Sequence, residues 1–491
     1  MGVFLLASTL AACEPRPPDQ LRFALATSPL TLDPRHATDA ASTRFVRLLY
    51  RSLVDFDEES RPVPSLARWE IVSPTHYRFT LGLDGRCFHD GAPLTAHDVK
   101  ATYDAVLDPA GGSPHRTMLG MIERVETAAD DTVEFYLKAP DPLFPGRLTI
   151  GVMPARALAT GHPFGQQPLG SGPFALAEWE GDRLRLRRVA DGLTFTFVRV
   201  PDPTMRALKL IKGEVDMLQG DLPPELVAWL GGRPELRVDQ GRGTTFSYLA
   251  FNLADPVAGQ LAVRQAVGHA VDRPAIAREL LRGTVRLASG LLPPDHWAGH
   301  PHLDGPRYDP TRSRTLLGDL GYGPSRPLSL DLKTSSDPLR VRIATVLQHQ
   351  LGEVGVDLAV RSYDWAAFYA DVKGGRFQVA TLSWVALRTP DIFRHAFHSG
   401  SLPPAGANRG RYVDPVVDDL IDRAERTADE SEQAALFRGL QERLLETLPY
   451  LPLWFEDTVF VARRDVTGYR ISADGGYDGL SDVVRVPRVL R

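Results

Sequence analysis

Cys13 closes the run Leu10-Ala11-Ala12-Cys13, and the chain before it is almost entirely apolar. Small residues ahead of a cysteine let a peptidase approach the backbone, and the freed thiol can take a lipid. The pattern looks like a bacterial lipoprotein signal over residues 1–13, with Cys13 as the first mature residue. The apolar stretch is too short to span a bilayer, which needs about 20 residues. No Lys or Arg precedes Cys13, so the basic start of such a signal is missing. Residues 14–19, Glu14-Pro15-Arg16-Pro17-Pro18-Asp19, are polar and proline-rich and read as an extended tether. A lipidated Cys13 would hold the protein on the membrane in the periplasm. It would also leave Cys87 unpaired; without lipidation a Cys13–Cys87 bridge stays open.

The other residue sets that invite a chemical reading are weaker. Gly170-Ser171-Gly172-Pro173-Phe174-Ala175 fits a loose dinucleotide pattern, but that site needs a strand before it and a helix after. Here Gln166-Gln167-Pro168 precedes and strand-like Phe174 to Glu180 follows, so a structural turn is the better reading. His395 and His398 stand three apart with no further metal ligand in evidence nearby. Asp55, Asp57, Glu58 and Glu59 lack the spacing and glycine of a calcium loop and read as a solvated turn. His89-Asp90 and His97-Asp98 read as turn and helix-cap chemistry. No Gly-x-Ser-x-Gly elbow or recognised triad occurs. These patterns point away from an enzyme and call for no cofactor and no metal.

Composition agrees with a large soluble body. The chain has 491 residues, 43% of them hydrophobic, and a formal net charge of -5 with dispersed basic residues. That excludes a dedicated nucleic-acid surface. Two cysteines exclude a cysteine-built zinc site.

The elements that must position any site are mixed α and β. Leu21 to Ala26, Tyr77 to Leu81 and Thr132 to Leu137 alternate as strands, and Thr43 to Phe56 carries apolar residues at helical spacing. Phe174 to Glu180 and Arg183 to Val189 flank a hairpin turn. Asp272-Arg273-Pro274, Asp309-Pro310 and Asp414-Pro415 each pair an aspartate cap with an early proline and open helices, the first two ending at Gly283 and Gly321. A helix over Leu339 to Glu353 sits before strands at Val356 to Val360 and Phe377 to Trp384, an order that favours parallel pairing.

These segments also carry a family likeness. Thr31-Leu32-Asp33-Pro34, Leu49-Tyr50-Arg51-Ser52-Leu53-Val54 and Pro64-Ser65-Leu66-Ala67-Arg68-Trp69 resemble the start of the family 5 extracellular solute-binding proteins of ABC importers. The likeness runs on through Phe88 to Val99, Gly170 to Phe174, Phe251-Asn252, Val263 to Val267, Tyr308-Asp309-Pro310, Asn408, Tyr412 to Pro415 and Pro449 to Leu453. It implies an α/β, two-lobed periplasmic-binding-protein fold of type II with an extra subdomain on the first lobe. Lobe 1 would comprise residues 20–41, 167–246 and 452–491, with the extra subdomain over 42–166 and lobe 2 over 247–451. Ligand would lie between the lobes.

The resemblance, with the chemistry of such a cleft, nominates Leu32, Phe246, Tyr248, Asn252, Trp365, Ser383, Trp384, Ala386, Arg388, Asp391 and Asn408 as ligand-binding, with Phe368 as a further aromatic candidate. Aromatic side chains would wall the cleft, Ser383 and Ala386 would offer backbone groups, and Asn252 and Asn408 their amides. In peptide-binding members a Trp-x-x-Asp aspartate pairs with the ligand's ammonium. Here the segment reads Trp384-Val385-Ala386-Leu387. Either Asp391 restores an amine site, or the solute is anionic or N-blocked and Arg388 holds its carboxylate. The expected function is a monomeric substrate-binding lipoprotein. It would deliver a peptide or peptide-like solute to an ABC permease and its ATPase. A nickel chelate or other anionic solute is one alternative, and a periplasmic hydrolase is another.

Overall fold

A computed structural model describes residues 20–83 and 86–486. Cys13 and the tether at 14–19 lie outside the described residues.

One mixed sheet runs through the molecule. In spatial order its strands are Val356–Tyr363, Leu328–Ser335, Val379–Trp384, Leu236–Phe251, Tyr450–Arg463, Met217–Gln219, Gln20–Leu25, Thr194–Arg199, Arg183–Arg188 and Phe174–Glu180, with Val285–Leu287 added beside Tyr450–Arg463. Val356–Tyr363 and Val379–Trp384 run parallel, as expected, but each pairs with Leu328–Ser335, a strand the sequence pattern did not single out, which lies between them. The helix of that unit, Pro338–Glu353, buries Ile343, Ala344, Leu347 and Leu351.

Two strands cross between the lobes. Leu236–Gly241 pairs with Thr458–Arg463 on the first-lobe side, and Thr245–Ala250 pairs with Tyr450–Glu456 on the second-lobe side. Between them the register shifts, so Arg242, Gly243 and Thr244 bulge out opposite Asp457. Such a bulge bends the strand and re-aims its side chains. A Cβ on Gly243 would lie 2.0 Å from the Glu456 carbonyl oxygen, so only glycine fits. Phe246 and Phe455 pack in one second-lobe cluster and Leu453 and Trp454 in the other, so the strands enter the second lobe directly after the bulge.

The apolar cores follow this division. Leu21, Phe23, Phe195, Phe197 and Phe460 anchor the first lobe. A separate cluster from Leu53 to Val152 builds the extra subdomain around a four-stranded antiparallel sheet and the helix Ala96–Leu107.

Some local expectations need correction. The helix expected over Thr43 to Phe56 spans Ala40–Leu49. It stops because the Gly170–Gly172 loop packs on its end: the Gly172 N–H donates to the Leu49 carbonyl at 2.9 Å. A Cβ on Gly170 or Gly172 would lie 2.1 or 2.3 Å from a backbone oxygen of Leu49 or Leu48. The glycine motif is therefore a close-approach turn. The helix opened by Asp272 is α-helical only over Arg273–Ala275 and continues as a π-helix over Ile276–Leu280. The other two aspartates cap as expected, accepting from the backbone of Arg312 and Val416.

Candidate functional site

A cavity of about 510 Å³ lies between the lobes at the strand bulge. Its walls come from six places in sequence: Phe56 to Ser60 of the subdomain, the bulge residues Arg242 to Thr244, Arg286, Pro293 to His296 and Arg388 on the second lobe, and Ile471 to Asp474 on the first. The bulge ties two of these together, since the Thr244 N–H donates to the Ala473 carbonyl at 2.9 Å.

Ion pairs cross the cavity's edge. The Arg388 guanidinium meets Asp474 at 2.6 Å and Asp55 at 3.4 Å, from the opposite side of the cleft. Arg47 meets Asp478 at 3.0 Å, Asp55 at 3.4 Å and Asp474 at 3.7 Å. Burial alone would push the Asp474 carboxyl up; Arg388 and Arg47 overcome it and hold the group well below the usual carboxylate range. Further along, Arg147 of the subdomain meets Asp391 of the second lobe at 2.7 Å, and the Trp297 N–H donates to the Glu59 carbonyl at 3.1 Å.

Four carboxylates and three guanidiniums line the cavity. Arg242 pairs with Asp295, Arg286 with Asp457 and Arg388 with Asp474. Asp57 and Glu58 have no ion-pair partner among the described residues, so the unmatched charge of the wall is negative.

His296 fixes the backbone of Arg388. Its Nδ1 accepts from the Ala298 N–H at 3.0 Å, which leaves Nε2–H to donate to the Arg388 carbonyl, also at 3.0 Å. That assigns the neutral tautomer. Burial pushes its pKa down to about 4 from 6.5. The unfolded chain therefore takes up this proton from pH 6.5 downward, and the folded protein only near 4. Stability should fall with acid in that window, by up to about 1.4 kcal/mol per pH unit. Urea unfolding of His296→Asn from pH 7 to 4 should show a flatter slope; equal slopes would assign the dependence to another group.

The sequence pattern of the bacterial extracellular solute-binding proteins, family 5 (middle), matches residues 61–401. The chain belongs to that family. Its members are transport binding proteins. Glutathione-binding protein GsiB of Escherichia coli K12 is 27% identical over 468 residues, 91% of each chain, as is GsiB of Shigella dysenteriae. Among solved structures, CtaP of Listeria monocytogenes superposes with a TM-score of 0.86 at 22% identity, covering 95% of this chain and 99% of that one. NikZ of Campylobacter jejuni, in complex with Ni(L-His), gives 0.82 at 24% identity over 96% and 100%. DppA of Helicobacter pylori, in complex with the peptide STSA, gives 0.79 at 24% identity over 95% and 98%. These likenesses show the two-lobed fold of type II periplasmic binding proteins.

In this family 5 protein the nominated residues divide sharply. Arg388 lines the cavity, but its charge is already met by Asp474 and Asp55. Asp391 is paired with Arg147, itself bound to Asp141 at 2.8 Å, and does not line the cavity. Leu387 is buried in the second-lobe core and does not face the cleft. Asn252 and Asn408 are scaffold residues: one amide donates to the carbonyls of Gly375 and Phe377, the other to those of Phe397, His398 and Tyr412. Leu32 is core. The Ser383 hydroxyl bonds Ser247 at 2.7 Å within a group completed by Glu456 and Arg340. Ala386 adopts a left-handed φ of 55°, its N–H 3.4 Å from the Thr245 hydroxyl.

The aromatic candidates stand together on the other face of the same strand pair. Phe246 stacks on Tyr248 at 5.4 Å, and Tyr248 faces Trp384 at 6.5 Å; the first two and Phe368 are buried. Trp365 is 60% exposed and stacks on Tyr369. Between Tyr369 and Trp384 lies the guanidinium of Arg409, a residue the sequence did not single out. His395 packs edge-on to Trp384, and the His398 ring accepts from the Gly400 N–H; the pair holds no metal cluster among the described residues.

Proposed function

We propose that this chain is the substrate-binding component of an ABC importer, capturing a peptide or peptide-like solute between its lobes and handing it unaltered to a permease and its ATPase. The observation that carries the reading is the interlobe cavity, walled from both lobes and spanned by the Arg388–Asp474 pair over two crossing strands. Closure of two rigid bodies around a solute has this form. The names of the relatives agree: GsiB is glutathione-binding, and the DppA neighbour holds a peptide. Asp57 and Glu58 supply the unmatched negative charge that a solute ammonium requires, in place of the aspartate missing at Leu387. We draw the crossover between the lobes at residues 241–245 and 456–458, where the strand register shifts.

The test is recovery of the solute. Mass spectrometry of material released from the purified protein should yield a peptide-like compound. Adding it back should raise the melting temperature without consuming it. Turnover of the solute would overturn the transport reading in favour of an enzyme, and recovery of a metal chelate would replace the peptide.

The lipid anchor belongs to the same proposal. Cys13→Ser is expected to move the protein from the membrane to the soluble periplasmic fraction and to abolish labelling by palmitate, since acyl burial at about 0.8 kcal/mol per CH₂ is what holds it. Unchanged membrane partitioning would rule out Cys13 as the anchor.

A further inference from the structure

We propose that Arg409 seats an anionic group of the solute, a carboxylate, in a cage of aromatic hydrogen-bond donors on the second lobe; this rests on the solute-binding reading above. Arg409 is 9% exposed. Its Cζ lies 4.7 Å from the ring centroid of Trp384 and 5.0 Å from that of Tyr369, whose hydroxyl accepts from its Nη2 at 2.8 Å. No carboxylate stands within ion-pair distance of it among the described residues. The ring faces offset part of the cost of burying a cation, but they do not supply an anion.

The neighbouring groups share that need. Trp384 Nε1 and the Tyr248 hydroxyl are both shut off from solvent with no hydrogen-bond partner. The Tyr450 hydroxyl stands close enough to both to interact with them. His395, edge-on to Trp384, is held toward its neutral form by burial and then by the Arg409 charge. The cage thus gathers a guanidinium, an indole N–H, a neutral imidazole and phenol hydroxyls without one negative charge. An indole N–H can only donate, and a guanidinium presents a planar fork that fits two carboxylate oxygens. A carboxylate would supply the anion that the Arg409 guanidinium lacks.

The cage also lies where a solute can reach it. Trp365, exposed at the surface, stacks on Tyr369 at 5.4 Å, so the aromatic stack runs from solvent to the guanidinium. His395 sits one helical turn from Asp391, which meets Arg147 of the facing subdomain. Parting the lobes breaks that contact and uncovers this side of the helix. Arg388, four residues past Trp384, cannot serve as the carboxylate partner, because Asp474 and Asp55 already occupy it.

The experiment is calorimetric titration of the full chain, freed of bound solute by unfolding and refolding. The probes are the tetrapeptide STSA and its C-terminal amide, and glutathione and its diethyl ester. Wild type should bind at least one free acid about 30-fold or more tightly than its capped form, the scale of a buried charge pair. Arg409→Gln should erase most of that ratio and Arg409→Lys should keep part of it. Should Arg409→Gln fail to fold, Tyr369→Phe withdraws only the hydroxyl that steadies Nη2 and should lower the ratio severalfold. Equal binding of acid and capped forms by wild type, or an undiminished ratio in Arg409→Gln or Tyr369→Phe, overturns the inference and leaves the solute-binding reading standing. No binding of any of the four probes overturns the peptide reading, and the inference falls with it.

Discussion

Trp384→Ala is expected to weaken solute binding by about 2–4 kcal/mol, the range for a central aromatic anchor, or roughly 30- to 1,000-fold in Kd. The indole ends the strand Val379–Trp384. It faces Tyr248 on one side and carries the Arg409 guanidinium on its ring. Alanine removes the platform, releases Arg409 and withdraws the free Nε1–H together. The empty protein should lose less, because the indole is only partly buried. The measurement is a pair of experiments on one preparation: titration with the recovered solute, and thermal melting without it. An unchanged Kd would place the solute away from this strand end.

How much of this was legible in the sequence depends on how far the cause lies along the chain. Aspartate–proline caps are local, and those at Asp309 and Asp414 open the helices they predict. The helix end at Leu49 is set by glycines more than a hundred residues later, and no local pattern reveals it. The site shows the same limit more severely. Asn252 and Asn408 are amides in the right neighbourhood, but sequence does not show that backbone carbonyls take them up. Arg388 was visible as a charge; Asp474, its partner, is 86 positions away. Arg409 reads in sequence as one more loop arginine between Asn408 and Gly410. Its meaning comes only from the two rings around it and the absence of an acid beside it. Tyr248 and Trp384 face each other and Trp365 stacks on Tyr369, with the Arg409 guanidinium between the Tyr369 and Trp384 rings, so the aromatic candidates surround a charge and do not form bare apolar walls.

The largest effect is expected from Asp474→Ala, because this carboxylate serves both lobes. It meets Arg388 across the cleft at 2.6 Å and Arg47 on its own side at 3.7 Å, and it also accepts from the Ser472 hydroxyl and from the Gly476 N–H. Both members of the cross-lobe pair are largely buried, at 11% and 19% side-chain exposure. Removing one partner of such a pair costs about 3–5 kcal/mol, because the other charge stays buried without compensation. As an ion-pair partner Arg388 would retain only Asp55, at 3.4 Å and 47% exposed, besides the Ser472 hydroxyl at 3.4 Å. With the lobes parted this cross-lobe contact would be lost, so the effect of the substitution should fall mainly on the closed form. A loss of about 3 kcal/mol or more in closure is a fall of more than 100-fold in apparent affinity. The pH dependence separates this pair from His296. A carboxyl held far below its ordinary value contributes its full stabilisation above the ordinary carboxylate range and loses it only as pH falls through the lowered value. Wild-type binding should therefore be insensitive to this pair between pH 5 and 8, whereas the His296 dependence falls between 6.5 and 4. A double-mutant cycle of Asp474→Ala with Arg388→Ala should give a coupling above about 1.5 kcal/mol in solute binding. Near-zero coupling, with each single variant binding as wild type, would show that closure does not depend on this pair.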